Sequence, residues 1–245
     1  MPEPTRWPAS LWLVRHGLSA GNIADEDAHR RGLHELDIDH RDMDIPLSPI
    51  GEQQARMTGA WIGTIPVARR PRHTLASPYV RAEQTAHLLL EASGCPPDCV
   101  DVVLDERLRE REFGILDRLT TMGIENRFPE QAAARAFLGK FYHRPPGGES
   151  WADVSLRLRS ALDTIGREYP GEHLLVVTHQ VAIMVFRYLL ERLREQELLD
   201  IDRANPIANC SVTVYEYDAD LGPNGGMALR RFNELPPGEP VTEEE

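Results

Sequence analysis

The sequence predicts an α/β fold, a three-layer α/β/α sandwich around a mostly parallel sheet, with a lid inserted at about residues 105–150. Three observations carry this. Short apolar runs alternate with amphipathic segments, the pattern of strand–helix–strand units. One run, His173-Leu174-Leu175-Val176-Val177-Thr178, is apolar almost throughout, as in a strand covered on both faces. Residues 105–150 break the pattern, being rich in charge and glycine and showing only patchy helical period.

The first strand is Leu11-Trp12-Leu13-Val14, which ends at Arg15-His16-Gly17. A charge-rich loop is expected from about Asp25 to Pro46. Ser48-Pro49 then supplies an N-cap and a first-turn proline for a helix to about Ile62. His73 to Ala76 forms a second strand, and Ser77-Pro78 repeats the cap chemistry for a helix to about Leu90. Val100 to Leu104 makes a third strand. Beyond the lid, a helix spans about Trp151 to Glu168, and the 173–178 strand leads into a helix from about Val181 to Leu193. That helix is apolar nearly all round and should be buried. Ser211 to Tyr217 alternates as a strand, and Met227 to Phe232 returns beside it across the turn at Gly222–Gly226. One domain is expected over 1–235, followed by a disordered acidic tail over 236–245.

Among 245 residues, 27 are basic and 39 acidic, a formal net charge of −12. That balance argues against nucleic acid or an anionic membrane surface as a partner. All but one of the basic residues are arginine; Lys140 is the exception. Any anion must therefore be held largely by guanidinium forks, which suit bidentate phosphate contacts. Three cysteines (Cys95, Cys99, Cys210) make no disulfide framework, which fits a cytoplasmic protein. Cys95 and Cys99 lack the second Cys/His pair that a metal site needs. His29, His34 and His40 fit no helical pair, so no metal is expected there either. No apolar run approaches membrane-spanning length.

In open α/β sheets, ligands sit beyond the carboxyl ends of the strands. Two strands here end in histidine, at Arg15-His16-Gly17 and at Thr178-His179-Gln180, and Arg81 lies one turn into the helix after the second strand. Guanidinium forks and helix N–H groups bind phosphate oxygens, and a neutral imidazole attacks phosphorus.

The flanking residues extend the pattern. Leu13 to Asn22, LVRHGLSAGN, resembles the signature of the histidine phosphatase (phosphoglycerate mutase-like) superfamily. Leu47-Ser48 with Gly51, Gln54 and Ala55 looks like its second block, and Ser77 to Ala86, SPYVRAEQTA, like its third. Leu108 to Gly114, LREREFG, is similar to the segment bearing the acidic catalyst. Pro146 to Ser150 is similar to the turn that ends the lid, and Thr178-His179 to the second histidine motif.

The resemblance implies a metal-independent phosphatase without a cofactor. His16 attacks a phosphoryl group, giving a phosphohistidine that water hydrolyses. Arg15, Arg81 and His179 neutralise the equatorial oxygens, and Asn22 and Gln180 add side-chain donors. Glu110 protonates the leaving oxygen and then activates water, a dual role that suits a raised carboxyl pKa; Glu112 is the alternative acid. Leu18 stands where the family often has an acid, and Gln180 where it usually has glycine. His179-Gln180 is similar to the fructose-2,6-bisphosphatase branch, but so short a match does not bring that sugar substrate with it. Phe113 stands where mutases commonly carry tyrosine, and Ile115 to Leu119 does not resemble a mutase lid. Both favour a phosphatase over the alternative, a phosphoglycerate mutase. A non-catalytic phospholigand-binding protein is the third reading, disfavoured because the whole residue set is present. The implied partner is a small anionic phosphorylated substrate, and the lid arginines, Arg111, Arg118 or Arg144, are expected to bind its far end. Strand edges near 211–232 allow a monomer or a homodimer.

Overall fold

The computed structural model describes residues 6–95 and 101–238. Its strands are β1 (Ser10–Arg15), β2 (His73–Ala76), β3 (Val102–Leu104), β4 (His173–Thr178), β5 (Val212–Asp218) and β6 (Gly226–Glu234). They form one mixed sheet in the order β3-β2-β4-β1-β5-β6. The first four are parallel, and β5 pairs antiparallel with both β1 and β6. β1 and β4 lie inside the sheet, so their apolar side chains are buried on both faces.

Alternation along β1 divides the core. Leu11 and Leu13 pack with Leu174 and Val176 beneath α6 (Trp151–Glu168) and α7 (Gln180–Leu190). Trp12 and Val14 pack with Leu175 and Val177 against α2 (Pro49–Gly63) and α3 (Val80–Ala92). In α6 the buried residues Trp151, Val154, Leu158, Ala161 and Ile165 recur at steps of three and four, one apolar stripe on a helix whose other face is charged. The expected burial of the helix after β4 is seen: Ala182 to Arg187 are all buried. Among the described residues, no helix is long and apolar enough to cross a membrane.

Several sequence expectations need correction. The stretch from Asp25 is not all loop: α1 (Ala20–Arg31) runs through it, opened by a capping box in which Ser19 and Asn22 satisfy each other's backbone N–H. Only Ala28 of that helix is buried, so no apolar period advertised it. The lid, too, is more ordered than its patchy period suggested, containing α4 (Thr121–Arg127) and α5 (Pro129–Tyr142). A helix unassigned from the sequence, α8 (Glu195–Ala204), follows α7, which stops at Leu190 rather than Leu193. Ser77 is not an N-cap; α3 starts at Val80, after Tyr79. Cys99 and Val100 lie outside the described residues, as do 239–245 of the expected disordered tail; Pro236 to Gly238 have no regular structure.

Candidate active site

The parallel strands β2, β4 and β1 are neighbours, so their carboxyl ends deliver Ser77, His179 and His16 to one place. Backbone bonds seal the junction: His16 N donates to Thr178 O at 2.9 Å and Ser77 N to Val177 O at 3.0 Å. The His16 and His179 rings lie 5.0 Å apart between centroids.

The turn carrying His16 is held by residues of the second and third sequence blocks. A Cβ on Gly17 would lie 2.4 Å from Gly51 O, and one on Gly51 would lie 2.1 Å from Leu18 O; only glycine permits this approach. Ser48 caps α2 and donates to Leu18 O at 2.8 Å, while Leu18 N donates to Gln54 Oε1 at 2.9 Å. Gly17 N donates to Thr85 Oγ1 at 3.0 Å.

His16 is 3% exposed. Its Nδ1 lies 2.7 Å from Gly17 O. A carbonyl only accepts, so Nδ1 carries the proton and Nε2 the lone pair. Arg81 Nε donates to that Nε2 at 3.3 Å. Burial, then Arg81 and Arg15, hold the His16 pKa well below the usual imidazole value, against the pull of the Gly17 carbonyl. His16 is therefore neutral at pH 7, as a nucleophile must be.

Arg81 enters from the first turn of α3 and is itself buried. Its terminal nitrogens donate to the Asp42 backbone carbonyl and, at 3.1 Å, to the Asp42 carboxylate. Arg15 donates to Ile207 O, but its Nε is buried without a hydrogen-bond partner among the described residues. His179, fully buried, places Nε2 2.8 Å from Ser77 Oγ, and its Nδ1 likewise has no partner among the described residues. Burial first, then Arg81, His16 and Arg15, keep its pKa well below normal. Two orphaned polar atoms beside a cluster of cations form a cradle suited to an anion. Asn22 lies beside it: its Oδ1 accepts from Ser19 N at 3.1 Å and Asn209 Nδ2 at 3.3 Å, and the latter nitrogen also donates to His16 O.

Glu110 closes the far side. Oε1 accepts from Arg111 N at 2.8 Å and Oε2 from Val181 N, in the first turn of α7, at 3.4 Å. Burial pushes its carboxyl pKa up; nearby Asp42 adds to this, and the two N–H bonds and Arg81 oppose it. Arg157 fixes the chain around it, donating to the carbonyls of Arg107, Arg109 and Glu110 and pairing with Glu149 at 2.9 Å. Glu112 is engaged elsewhere, accepting from Tyr79 OH at 2.6 Å, while the Tyr79 ring meets His179 edge-on at 5.1 Å.

The remaining expected residues are dispersed. Gln180 turns its amide to Asp202 Oδ1 at 3.4 Å, a carboxylate that also pairs with Lys140 at 2.5 Å. Arg144 pairs with Asp153 at the start of α6, and Arg118 donates to Ile38 O. Arg111 is different: it is buried, uses Nε on Glu149 O at 2.7 Å, and lines a lid cavity of about 400 Å³ with Arg135, Lys140, His143 and Glu125. Asp42, Ser77, Tyr79 and Asn209 escaped the sequence reading. Ser77 and Tyr79 stood inside a matched block, but Asp42 and Asn209 had no local signal.

A family model described as "Histidine phosphatase superfamily (branch 1)" matches residues 11–223. "Probable phosphoglycerate mutase GpmB" of Enterobacter sp. (strain 638) is 32% identical over 175 residues, 71% of this chain and 70% of that protein. The "2,3-bisphosphoglycerate-dependent phosphoglycerate mutase 2" of Gloeobacter violaceus is 29% identical, covering 95% of this chain and 96% of its own length. A solved mycobacterial glucosyl-3-phosphoglycerate phosphatase superposes with a TM-score of 0.69 at 23% identity, over 93% of this chain and 98% of that one. Phosphoglycerate mutase from Bacillus anthracis gives 0.64 at 21% identity, over 92% and 93%. At these identities the solved structures bear on the fold alone.

Proposed function

Because the chain belongs to the histidine phosphatase superfamily, branch 1, whose members are phosphatases or mutases, we propose that it is a metal-independent phosphatase of a small phosphorylated metabolite. The observation that carries this reading is the cradle: a neutral His16 with its lone pair on Nε2, grouped with Arg15 and His179, whose Nε and Nδ1 are buried without partners among the described residues. His16 Nε2 attacks phosphorus, the bond from phosphorus to the leaving oxygen breaks, and Glu110 supplies that oxygen's proton. Water then attacks the phosphohistidine, Glu110 takes its proton, the P–N bond breaks and orthophosphate departs. Arg15, Arg81 and His179 offset the charge spread over the equatorial oxygens. Asn22 adds its amide NH2 at the edge of the cradle. Gln180 serves through its place at the head of α7, with its side chain on Asp202.

The lid cavity supports a substrate with a second anionic group. Among the described residues Arg135 takes part in no hydrogen bond or ion pair, and it lines the cavity with Arg111 and His143, which are buried. Its positive charge contributes to holding the His143 pKa down, after burial and Arg111. Arg135→Ala should raise KM about fivefold for a substrate with a second anionic group and leave KM for p-nitrophenyl phosphate unchanged. Equal KM shifts on both would remove this cavity from the substrate site.

The mutase alternative draws on the names of the relatives at 32% and 29% identity. Water must be kept from the phosphohistidine for net transfer back to substrate. Phe113, Ile115 and Met122 of the lid segment are instead 40%, 45% and 40% exposed, which supports access by water. With 3-phosphoglycerate, with and without bisphosphoglycerate, the expected product is free orthophosphate. Accumulation of 2-phosphoglycerate without orthophosphate would establish the mutase. A panel of phosphorylated metabolites then identifies the substrate.

A further inference from the structure

The acidic stretch between α1 and α2 supplies no reacting group to the chemistry above, yet it reaches the centre of the site. Residues Asp42–Asp44 form a short 3-10 turn there. Asp42 engages both terminal nitrogens of Arg81, one through its backbone carbonyl and one through its carboxylate at 3.1 Å, while Arg81 Nε is spent on His16 Nε2. Every nitrogen of this guanidinium therefore has a partner already, and one of those partners is the lone pair that must attack phosphorus.

The two sides of the Arg81–Asp42 pair are unequal. The Arg81 side chain is 6% exposed and that of Asp42 is 31%. Arg81 is held in the site by burial, whereas Asp42 borders water and can be rehydrated at little cost when it lets go. A phosphoryl dianion offers three oxygens to the same fork and outcompetes one carboxylate. Arg15 makes no ion pair with any acidic side chain among the described residues, so the competition centres on Arg81.

We propose that Asp42 is a displaceable carboxylate of the phosphate site: it holds Arg81 in the free protein, yields to the incoming phosphoryl group, and thereby weakens the hold on orthophosphate. The idea rests on the phosphate-cradle reading and assigns the acidic segment a role in it. Orthophosphate has no other group to bind, so it bears the full effect of this competition, and product leaves readily. A substrate with a second anionic end can offset the same loss through contacts in the lid.

Calorimetric titration of the intact protein with sodium orthophosphate, at pH 7 and fixed ionic strength, tests this. Asp42→Asn removes the charge but keeps the shape and the backbone contact; it should bind orthophosphate about fivefold more tightly. Asp44→Asn removes the same charge two residues away, on an exposed side chain, and should change affinity less than about twofold. Asp42→Ser should follow Asp42→Asn if either variant's fold is in question. Weaker binding by both Asp42 variants would show that the carboxylate positions Arg81 and would overturn the proposal. Equal gains for Asp42→Asn and Asp44→Asn would overturn it too, reducing the effect to long-range charge. A wild-type protein that binds no orthophosphate would instead overturn the cradle reading itself, and the role of Asp42 with it.

Discussion

His16→Ala should lower kcat by about 10^4-fold or more on every substrate the protein turns over, because the covalent step disappears and only the charge of the cradle remains. Wild-type protein mixed with a 32P-labelled substrate and quenched in alkali should carry acid-labile label on His16, and the variant none. The prediction follows from the tautomer: Gly17 O accepts from Nδ1 at 2.7 Å, so the lone pair is on Nε2, facing Arg81 Nε. Burial and two arginines keep the ring neutral, so lowering the pH from 8 to 6 should not silence it by protonation in the free enzyme. The variant still has Arg15, Arg81 and His179 and should bind orthophosphate, which separates an enzyme from a phospholigand-binding protein. Label retained in His16→Ala and lost in His179→Ala would exchange the roles of the two histidines. A wild-type protein that binds phosphate but never becomes labelled would favour the binding protein.

The parts of this site that were legible in the sequence are those made by local chemistry. A strand ending in Arg-His-Gly and another ending in Thr-His place their histidines by strand geometry, and parallel pairing through β4 brings them together. Gly17, Gly51, Gln54 and Thr85 could be picked out as members of ordered blocks, but their reasons exist only in three dimensions: the glycines allow a backbone-to-backbone approach at the turn carrying His16, and the Gln54 and Thr85 side chains accept from Leu18 N and Gly17 N of that turn. Helix α1 was hidden because a helix with one buried residue has no apolar period; its signals lay only at its ends, a capping box at Ser19 and Asn22 and the basic last turn before Gly32. Asp42 and Asn209 were hidden for a different reason: each meets the site across a long sequence separation, Asp42 to Arg81 and Asn209 to the backbone of His16. Arg144 and Arg118 show the converse. An unassigned cation in a lid looks available to a substrate, but Asp153 and the Ile38 carbonyl use these two locally. Glu110 and Glu112 could not be separated by sequence; the partners that distinguish them are Tyr79 OH for one and two backbone N–H groups for the other.

Glu110→Gln separates catalysis from stability at this same position. With alkyl phosphates, whose leaving oxygen needs a proton, kcat should fall about 10^2- to 10^3-fold; with p-nitrophenyl phosphate, whose leaving group is already stable as an anion, the loss in the first step should be far smaller. Equal losses on both substrates in that first step, read as the burst of released alcohol or phenol, would remove Glu110 as the acid, and Glu112→Gln would then be the variant to measure. The raised carboxyl pKa adds a second readout with a definite sign. Its folded pKa lies above the ordinary glutamate value of 4.5, so the fold favours the protonated form. Below that ordinary value the side chain is neutral in both folded and unfolded chains and costs nothing. As pH rises above it, the unfolded chain ionises freely while the buried group resists, so wild-type stability falls until pH passes the folded pKa. Glutamine has no charge to bury. The variant should therefore unfold at a higher temperature than wild type at pH 7, with the gain vanishing near pH 4. The buried histidines are common to both proteins and cancel in the difference. A variant that is slower on alkyl phosphates and more stable at pH 7 would mark a charge held in the fold for its chemistry. One that loses stability at pH 7 would mean that the contacts to Arg111 and Val181 N–H outweigh the cost of burying the charge, and that Glu110 is ionised in the resting site.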